Sequence, residues 1–266
     1  MTDKINAFKN NIKDKKVSVI GIGVSNRPLI HFLAENGAVV TAHDKKTEQE
    51  LGDAAQELIQ KGIRLVLGED YLNGIDGEIV FKTPGLRFDH PALTRARQNG
   101  AHITSEMEVF FELCPAPIYA VTGSDGKTTT TTIIAGLLSA ASRTVYLGGN
   151  IGRALLPCVR DIRPEDAAVV ELSSFQLTRM KQRPRVAVVT NVAPNHLDWH
   201  TDMQEYIDAK KNLVRYQAPS DRAVLNADNA VTATFAADTQ AQVSWFSRRH
   251  PVESGAWQAE DGTLYV

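Results

Sequence analysis

A chain of 266 residues with a formal net charge of −2, its 29 basic and 31 acidic side chains spread along the length, carries no electrostatic footprint for nucleic acid. Cys114 and Cys158 lack metal-ligand spacing and fit reduced cysteines better than a disulfide framework. Met1 to Lys16 has no apolar signal core and no later run reaches membrane-spanning length, so a soluble, cytoplasmic protein with no membrane span and no nucleic-acid partner is expected, in two domains.

The first elements read as a Rossmann-like βαβ unit. Val17-Ser18-Val19-Ile20 is a β-type run, followed by Gly21-Ile22-Gly23-Val24-Ser25-Asn26 and an apolar-periodic helix through Leu29, Ile30, Leu33 and Ala34 that Gly37 ends. The next strand is Val39 to Ala42, with Asp44 just past its end. A helix from Glu48 to Lys61, strands at Arg64 to Leu67 and Glu78 to Lys82, and a helix at Pro91 to Asn99 continue the alternation, which predicts a parallel sheet covered on both faces. The glycine pattern is only part of G-x-G-x-x-G, because Asn26 stands at the third position. Asp44 suits a ribose or base contact, or is a solvated aspartate beside a plain βαβ turn. Thr83-Pro84-Gly85 puts a tight turn at the carboxyl edge of the same sheet, where ligands bind.

A break near Ser105 divides residues 1–105 from a second domain, 106–266, which opens with helix Glu106 to Leu113 and the segment Cys114-Pro115-Ala116-Pro117. Strand Ile118 to Val121, the loop Thr122-Gly-Ser-Asp-Gly-Lys-Thr-Thr129 and a helix from Thr130 to Ala141 follow. Glycines, a lysine and hydroxyls between a strand and a helix N-terminus make a phosphate-binding loop of P-loop type, although the first glycine of G-x-x-x-x-G-K-[ST] is replaced by Val121. Gly123, Ser124, Asp125, Gly126, Lys127, Thr128 and Thr129 are therefore the ATP-binding candidates, with Lys127 on the outer phosphates and Thr128 on magnesium. Further strands are expected at Thr144 to Leu147, Ala167 to Glu171, Val186 to Thr190 and Ala223 to Asn226, and short strands and turns from Gln242 onward. Glu171 at a strand end suits a hard divalent cation, His196 lies beyond the Val186 to Thr190 strand, and Lys210 sits on a helix. Taken singly, each also has a plainer role: a capped strand end, a satisfied histidine, a solvated lysine.

Together these segments are specific. The phosphate loop, then Gly148-Gly-Asn-Ile-Gly152, Val170-Glu-Leu-Ser-Ser-Phe-Gln-Leu177, Asn195-His-Leu-Asp198 and Tyr206-x-x-Ala-Lys210, in this order, resemble the Mur ligase family, and Glu-Leu-Ser-Ser-Phe-Gln-Leu resembles its D-glutamate-adding branch. The resemblance covers nearly the whole chain. It implies a Rossmann-like N-terminal domain and a central ATPase domain, without the family's third, C-terminal domain. It also implies an ATP-dependent ligase of peptidoglycan synthesis that joins D-glutamate to UDP-N-acetylmuramoyl-L-alanine through an acyl phosphate.

By that resemblance Lys127, Glu171, His196 and Lys210 are catalytic; Thr128, Glu171, His196 and a carbamylated Lys210 hold Mg2+, His196 standing near a second magnesium and the UDP-substrate; Asn150, Ser173 and Gln176 meet the muramoyl-alanyl part. Val24 and Ser25 take the diphosphate, and Asp44, Lys45, Lys46, Thr83 and Gly85 surround the uridine. Pro194-Asn195 replaces an acidic residue that the family carries before its histidine. A nucleotide-binding module without turnover, an NAD-dependent oxidoreductase and a sister amino-acid ligase are the competing expectations.

Overall fold

The computed structural model describes residues 2–23, 26–195 and 197–266, so Val24, Ser25 and His196 of the expected sites lie outside the described residues. The chain packs into two units, Met1–Leu113 with Arg153–Asp161, and Cys114–Gly152 with Ile162–Val266.

In the first unit the elements are α1 (Thr2–Ile12), β1 (Lys16–Ile20), α2 (Asn26–Glu35), β2 (Val39–Asp44), α3 (Glu48–Leu51), α4 (Asp53–Gln60), β3 (Arg64–Leu67), β4 (Ile79–Phe81), α5 (Pro91–Gln98), β5 (His102–Thr104) and α6 (Glu106–Leu113). Among the described residues the sheet order is β3-β2-β1-β4-β5 and every pairing is parallel. That is the strand order of a dinucleotide-type half-fold, with β1 central and Val17, Val19 and Ile20 buried. Ile20, Val80, Leu86 and Leu93 form part of the core, so the segment after β4 is packed rather than loose.

Local chemistry explains where the elements differ from expectation. The single helix expected over Glu48 to Lys61 is two, because Gly52 takes φ 53° between them. Thr47 caps α3 by a reciprocal box with Glu50. Asp44 is the last residue of β2 rather than a residue beyond it. The helix α1 and the strand β5 were not expected: α1 shows only Ile5, Phe8 and Ile12 as an apolar stripe among charges, and β5 is three residues long. Helix α6 lies in the first unit although the sequence break falls before it. So does Arg153–Asp161, where Glu106 Oε1 accepts the backbone N–H groups of Leu155 (2.8 Å) and Leu156 (2.6 Å).

The second unit holds β6 (Ile118–Thr122), α7 (Lys127–Ala140), β7 (Val145–Gly149), β8 (Ala167–Glu171), α8 (Ser174–Leu177), β9 (Val186–Val189), α9 (Met203–Arg215), β10 (Arg222–Asn226), α10 (Ala230–Thr234), β11 (Gln242–Ser247), β12 (Gly255–Gln258) and β13 (Leu264–Tyr265). Among the described residues these strands run β13-β12-β11-β10-β9-β6-β8-β7, parallel except for β12 with β13. Ala120, Val121, Ala168, Val169, Val170, Ala187 and Val189 are buried, the near-continuous apolar runs of strands covered on both faces. Parallel register sets Val121 beside Glu171 and Val188, and Gly149 beside Glu171, so the carboxyl ends of β6, β7, β8 and β9 form one ledge. Among the described residues no helix is long and apolar enough to cross a membrane.

Candidate active site

The loop after β6 is held by its neighbours before it can hold a ligand. Ser124 N–H donates to Asn191 O at 2.9 Å and Asp125 N–H to Asn191 Oδ1 at 3.0 Å, so those two donors are spent on the next loop. Thr190 Oγ1 donates to Asp125 O at 2.6 Å. Gly123 admits no side chain, because a Cβ there would collide with Thr190 Oγ1. Gly126, at φ 75°, is the N-cap of α7 and gives no side-chain cap, leaving the first-turn N–H groups of that helix and its positive end as the anion-facing feature.

Ser124 is a hub of this frame. Its Oγ donates to Ala193 O at 2.9 Å and accepts Ala193 N–H at 2.9 Å, and Tyr206 Oη lies 2.9 Å away. A hydroxyl has one proton, so with that proton on Ala193 O the Tyr206 hydroxyl donates to Ser124.

Five polar side chains converge on the ledge. Lys127 Nζ donates to Gly123 O (3.0 Å) and Ser124 O (2.9 Å). Thr128 Oγ1 donates to Glu171 Oε2 at 2.7 Å, and Asn150 Nδ2 to Glu171 Oε1 at 2.8 Å. Glu171 is buried, so this carboxylate in the interior is stabilised by two directed donors. Lys210, one turn beyond Tyr206 on α9, is only 2 % exposed; its Nζ donates to Gly123 O at 2.8 Å and stands 4.7 Å from the centre of the Tyr206 ring. Its neighbour Lys211 points elsewhere, to Asp238 at 3.0 Å.

Burial lowers the Lys210 pKa to about 7, with the Lys127 charge adding to the effect and Asp125 opposing it. The sign follows: the unfolded lysine, near 10.5, binds a proton between about 7 and 10.5 that the folded one does not, so stability rises with pH across that window. In bicarbonate-free buffer the urea stability of the wild type relative to Lys210→Met is expected to increase from pH 7.5 to pH 9.5. A difference that stays constant with pH would refute the burial of a titrating amine at this position.

Ser173 and Gln176 are engaged with one another: Ser173 Oγ and N–H both donate to Gln176 Oε1 at 3.0 Å, the capping box of α8. Next to them, His200 Nε2 lies 2.9 Å from Ser174 Oγ, in a cluster with Phe175, Trp199 and Tyr206. A cavity of about 390 Å³ is lined by Asn191, Asn226, Asp228, Asn229, Arg248 and Arg249. Its Asn191 also bonds the phosphate loop, and it was not anticipated from sequence; the available signal was Asn226-Ala-Asp-Asn229 at the carboxyl end of β10.

In the first unit, Asp44 spends both oxygens on backbone, accepting Ile22 N–H at 2.6 Å and Lys46 N–H at 2.9 Å. Asn26, at the place of the third glycine, donates to Ile20 O (3.1 Å) and Gly21 O (3.0 Å) and so closes the glycine turn from within. Lys45, Lys46 and Gly85 are exposed and Thr83 is half-buried.

Among the described residues no three His, Cys, Asp or Glu side chains gather as a metal cage. The paired Thr128 hydroxyl and Glu171 carboxylate are hard oxygen donors beside the phosphate loop, the set a magnesium ion takes when phosphate and water complete its shell.

Known proteins resemble the chain along most of its length. The Mur ligase middle domain family matches residues 121–261, and the Mur ligase MurD-like, N-terminal domain family matches residues 15–105. A UDP-N-acetylmuramoylalanine–D-glutamate ligase of Clostridium novyi (strain NT) is 51% identical over 258 residues, 97% of this chain and 56% of that protein. The ligase of the same name from Acetivibrio thermocellus is 51% identical over 266 residues, 100% of this chain and 57% of that protein. The chain thus spans little more than half the length of the curated relatives it matches. Among solved structures, the UDP-N-acetylmuramate:L-alanyl-gamma-D-glutamyl-meso-diaminopimelate ligase from Neisseria meningitides superposes with a TM-score of 0.62 at 19% identity, covering 94% of this chain and 83% of that one, a likeness of fold.

Proposed function

The chain belongs to the Mur ligase family, and we propose that it serves the ATP-dependent joining of D-glutamate to UDP-N-acetylmuramoyl-L-alanine in peptidoglycan synthesis. The observation that carries the reading is the Thr128–Glu171 contact of 2.7 Å at the mouth of the phosphate loop, where a triphosphate and its magnesium ion would meet. The first unit takes the UDP-sugar and the second takes ATP. The L-alanyl carboxylate attacks the γ-phosphorus, ADP leaves, and the amine of D-glutamate then attacks the acyl carbon and expels phosphate.

This chain's residues supply binding and charge. The loop from Gly123 to Thr129 and the start of α7 seat the phosphates, and Lys127 offsets the charge that gathers on the transferred group. The cavity at Asn226, Asn229 and Arg248 receives the nucleoside end, since it adjoins the loop through Asn191. Thr128 and Glu171 would hold magnesium, whose charge would screen the repulsion between carboxylate and polyphosphate. His196 is assigned to a second magnesium and to substrate.

Lys210 is proposed as a carbamate. Reaction with CO2 needs a neutral amine, and at pH 7.5 a pKa near 7 leaves roughly three-quarters of the side chain neutral, against about one part in a thousand for an ordinary lysine. The product is an anionic oxygen ligand on the same long stem, placed beside Gly123. Asn150, Ser173 and Gln176 meet the muramoyl-alanyl part, and Val24 and Ser25 the diphosphate. Thr83, Gly85, Lys45 and Lys46 face the uridine, while Asp44 shapes that turn through Ile22 and Lys46.

Calorimetric titration tests the reading. Mg·ATP and UDP-N-acetylmuramoyl-L-alanine should each bind at one site, NAD should not, and Glu171→Gln should weaken ATP about tenfold in magnesium but little in EDTA. Binding of NAD in place of the UDP-sugar would overturn it. Assay of phosphate release with a panel of amino acids separates D-glutamate from the substrates of sister ligases.

A further inference from the structure

In the first unit a second set of charges, half-buried, lies beside the Thr83-Pro84-Gly85 turn, and no role above uses it. Lys82 follows β4, and its N–H donates to Thr104 O at 2.9 Å, which extends the pairing with β5 by one residue. Its Nζ turns back along the chain and donates to Thr83 O at 3.2 Å and Pro84 O at 3.4 Å. Thr83 O also accepts Leu86 N–H at 3.2 Å, the closing bond of the turn.

Glu108 of α6, whose charge acts on Lys82, accepts the Ser105 hydroxyl at 2.7 Å. Burial pulls the lysine's pKa down to about 8, and the Glu108 charge opposes that shift only in part. Thr83 is also close to the glycine turn after β1: a Cβ on Gly21 would lie 3.3 Å from Thr83 Cβ, so a small shift of the Thr83 turn alters that contact.

The geometry points to Lys82 as a positioning residue for the uridine end of the substrate, its ammonium clamping two consecutive carbonyls so that the Thr83–Leu86 turn stands at one fixed distance from the Gly21 turn. Two carbonyls aimed at one cation fix two successive peptide planes, which Pro84, with its locked φ, cannot readjust by itself. The Glu108 charge opposes the loss of that cation's proton. The inference deepens the proposed function and rests on its assignment of Thr83 and Gly85 to the uridine side; the ligand class is a uridine-diphosphate sugar.

The test pairs Lys82→Met with Lys82→Arg, which keeps charge and donors. Amide hydrogen exchange on each chain reads the clamp directly, and calorimetry with UDP-N-acetylmuramoyl-L-alanine and with Mg·ATP reads its use. Lys82→Met should speed exchange of the Leu86 amide about tenfold with Val80 unchanged, and weaken the UDP-sugar about tenfold with Mg·ATP unchanged. Lys82→Arg should restore most of both. Unchanged Leu86 exchange would overturn the clamp, and faster exchange with unaltered UDP-sugar affinity would overturn its positioning role. If the unsubstituted chain fails to bind the UDP-sugar, the uridine assignment falls, while Leu86 exchange still decides the clamp. Should Lys82→Met fold poorly, Lys82→Gln carries the same comparisons.

Discussion

Lys127→Ala is expected to weaken Mg·ATP binding by about a hundredfold, near 3 kcal/mol, while leaving the unfolding midpoint almost unchanged. Among the described residues the lysine's hydrogen bonds go to its own loop, through Gly123 O and Ser124 O, and the loop is otherwise fixed by Asn191, Thr190 and Ser124. Its removal therefore costs little structure. It costs the site its cation, and leaves two carbonyl oxygens facing the place where a polyphosphate would lie. Charge-assisted hydrogen bonds contribute about 1.5–3 kcal/mol each, and a lysine that meets two phosphate groups forfeits more than one of them. Arginine should not restore affinity, since a lysine in a phosphate loop meets the phosphates as a compact point charge, which a bulkier planar fork does not reproduce. Calorimetry decides the matter: an alanine variant that binds Mg·ATP within threefold of the wild type would remove the phosphate-loop assignment.

The second large effect is expected at Lys210. In a form of the protein that makes the amide bond, Lys210→Met should reduce turnover by at least about a thousandfold, excess bicarbonate should not restore it, and short carboxylates should rescue it in part. Methionine keeps the buried stem and removes the amine, so the loss reports chemistry more than packing. The modification has its own signature: 13C-labelled bicarbonate should give a carbamate carbonyl resonance in the wild type that is absent in Lys210→Met. The signal should fade as pH falls through about 7, because protonation withdraws the amine that attacks CO2. Wild-type turnover in the variant, or a resonance that survives the substitution, would end the carbamate proposal.

How much of this could be read from the chain depended on how local each feature is. The strand-loop-helix from Ile118 onward is written in consecutive residues, and so was legible, as were the buried strands Ala167–Glu171 and Val186–Val189. The split of the Glu48 helix at Gly52 depended on a positive φ that a helical pattern does not reveal. Strand β5 exists through its pairing with β4, a partner that composition does not disclose.

The site shows the same division. Thr128 and Glu171 are 43 positions apart and meet only because β6 and β8 pair in parallel, so their roles could be guessed but not their contact. Lys210 and Lys211 look alike in sequence; the helical step of four from Tyr206 sends one inward and the other to Asp238. The asparagines and arginines around Asn226 and Arg248 are common loop residues, and only the folded ledge gathers them.

The excursion of Arg153–Asp161 into the first unit bears on how far the two halves are separable. Leu155, Leu156 and Val159 are all fully enclosed, and each such side chain exposed to water costs about 1.5–3 kcal/mol. A clean cut of the chain at one point would strip that segment of its cover and of the Glu106 carboxylate that receives its amides. The polypeptide is thus interlaced rather than threaded in series, and its second unit is not a cassette that can be transplanted intact.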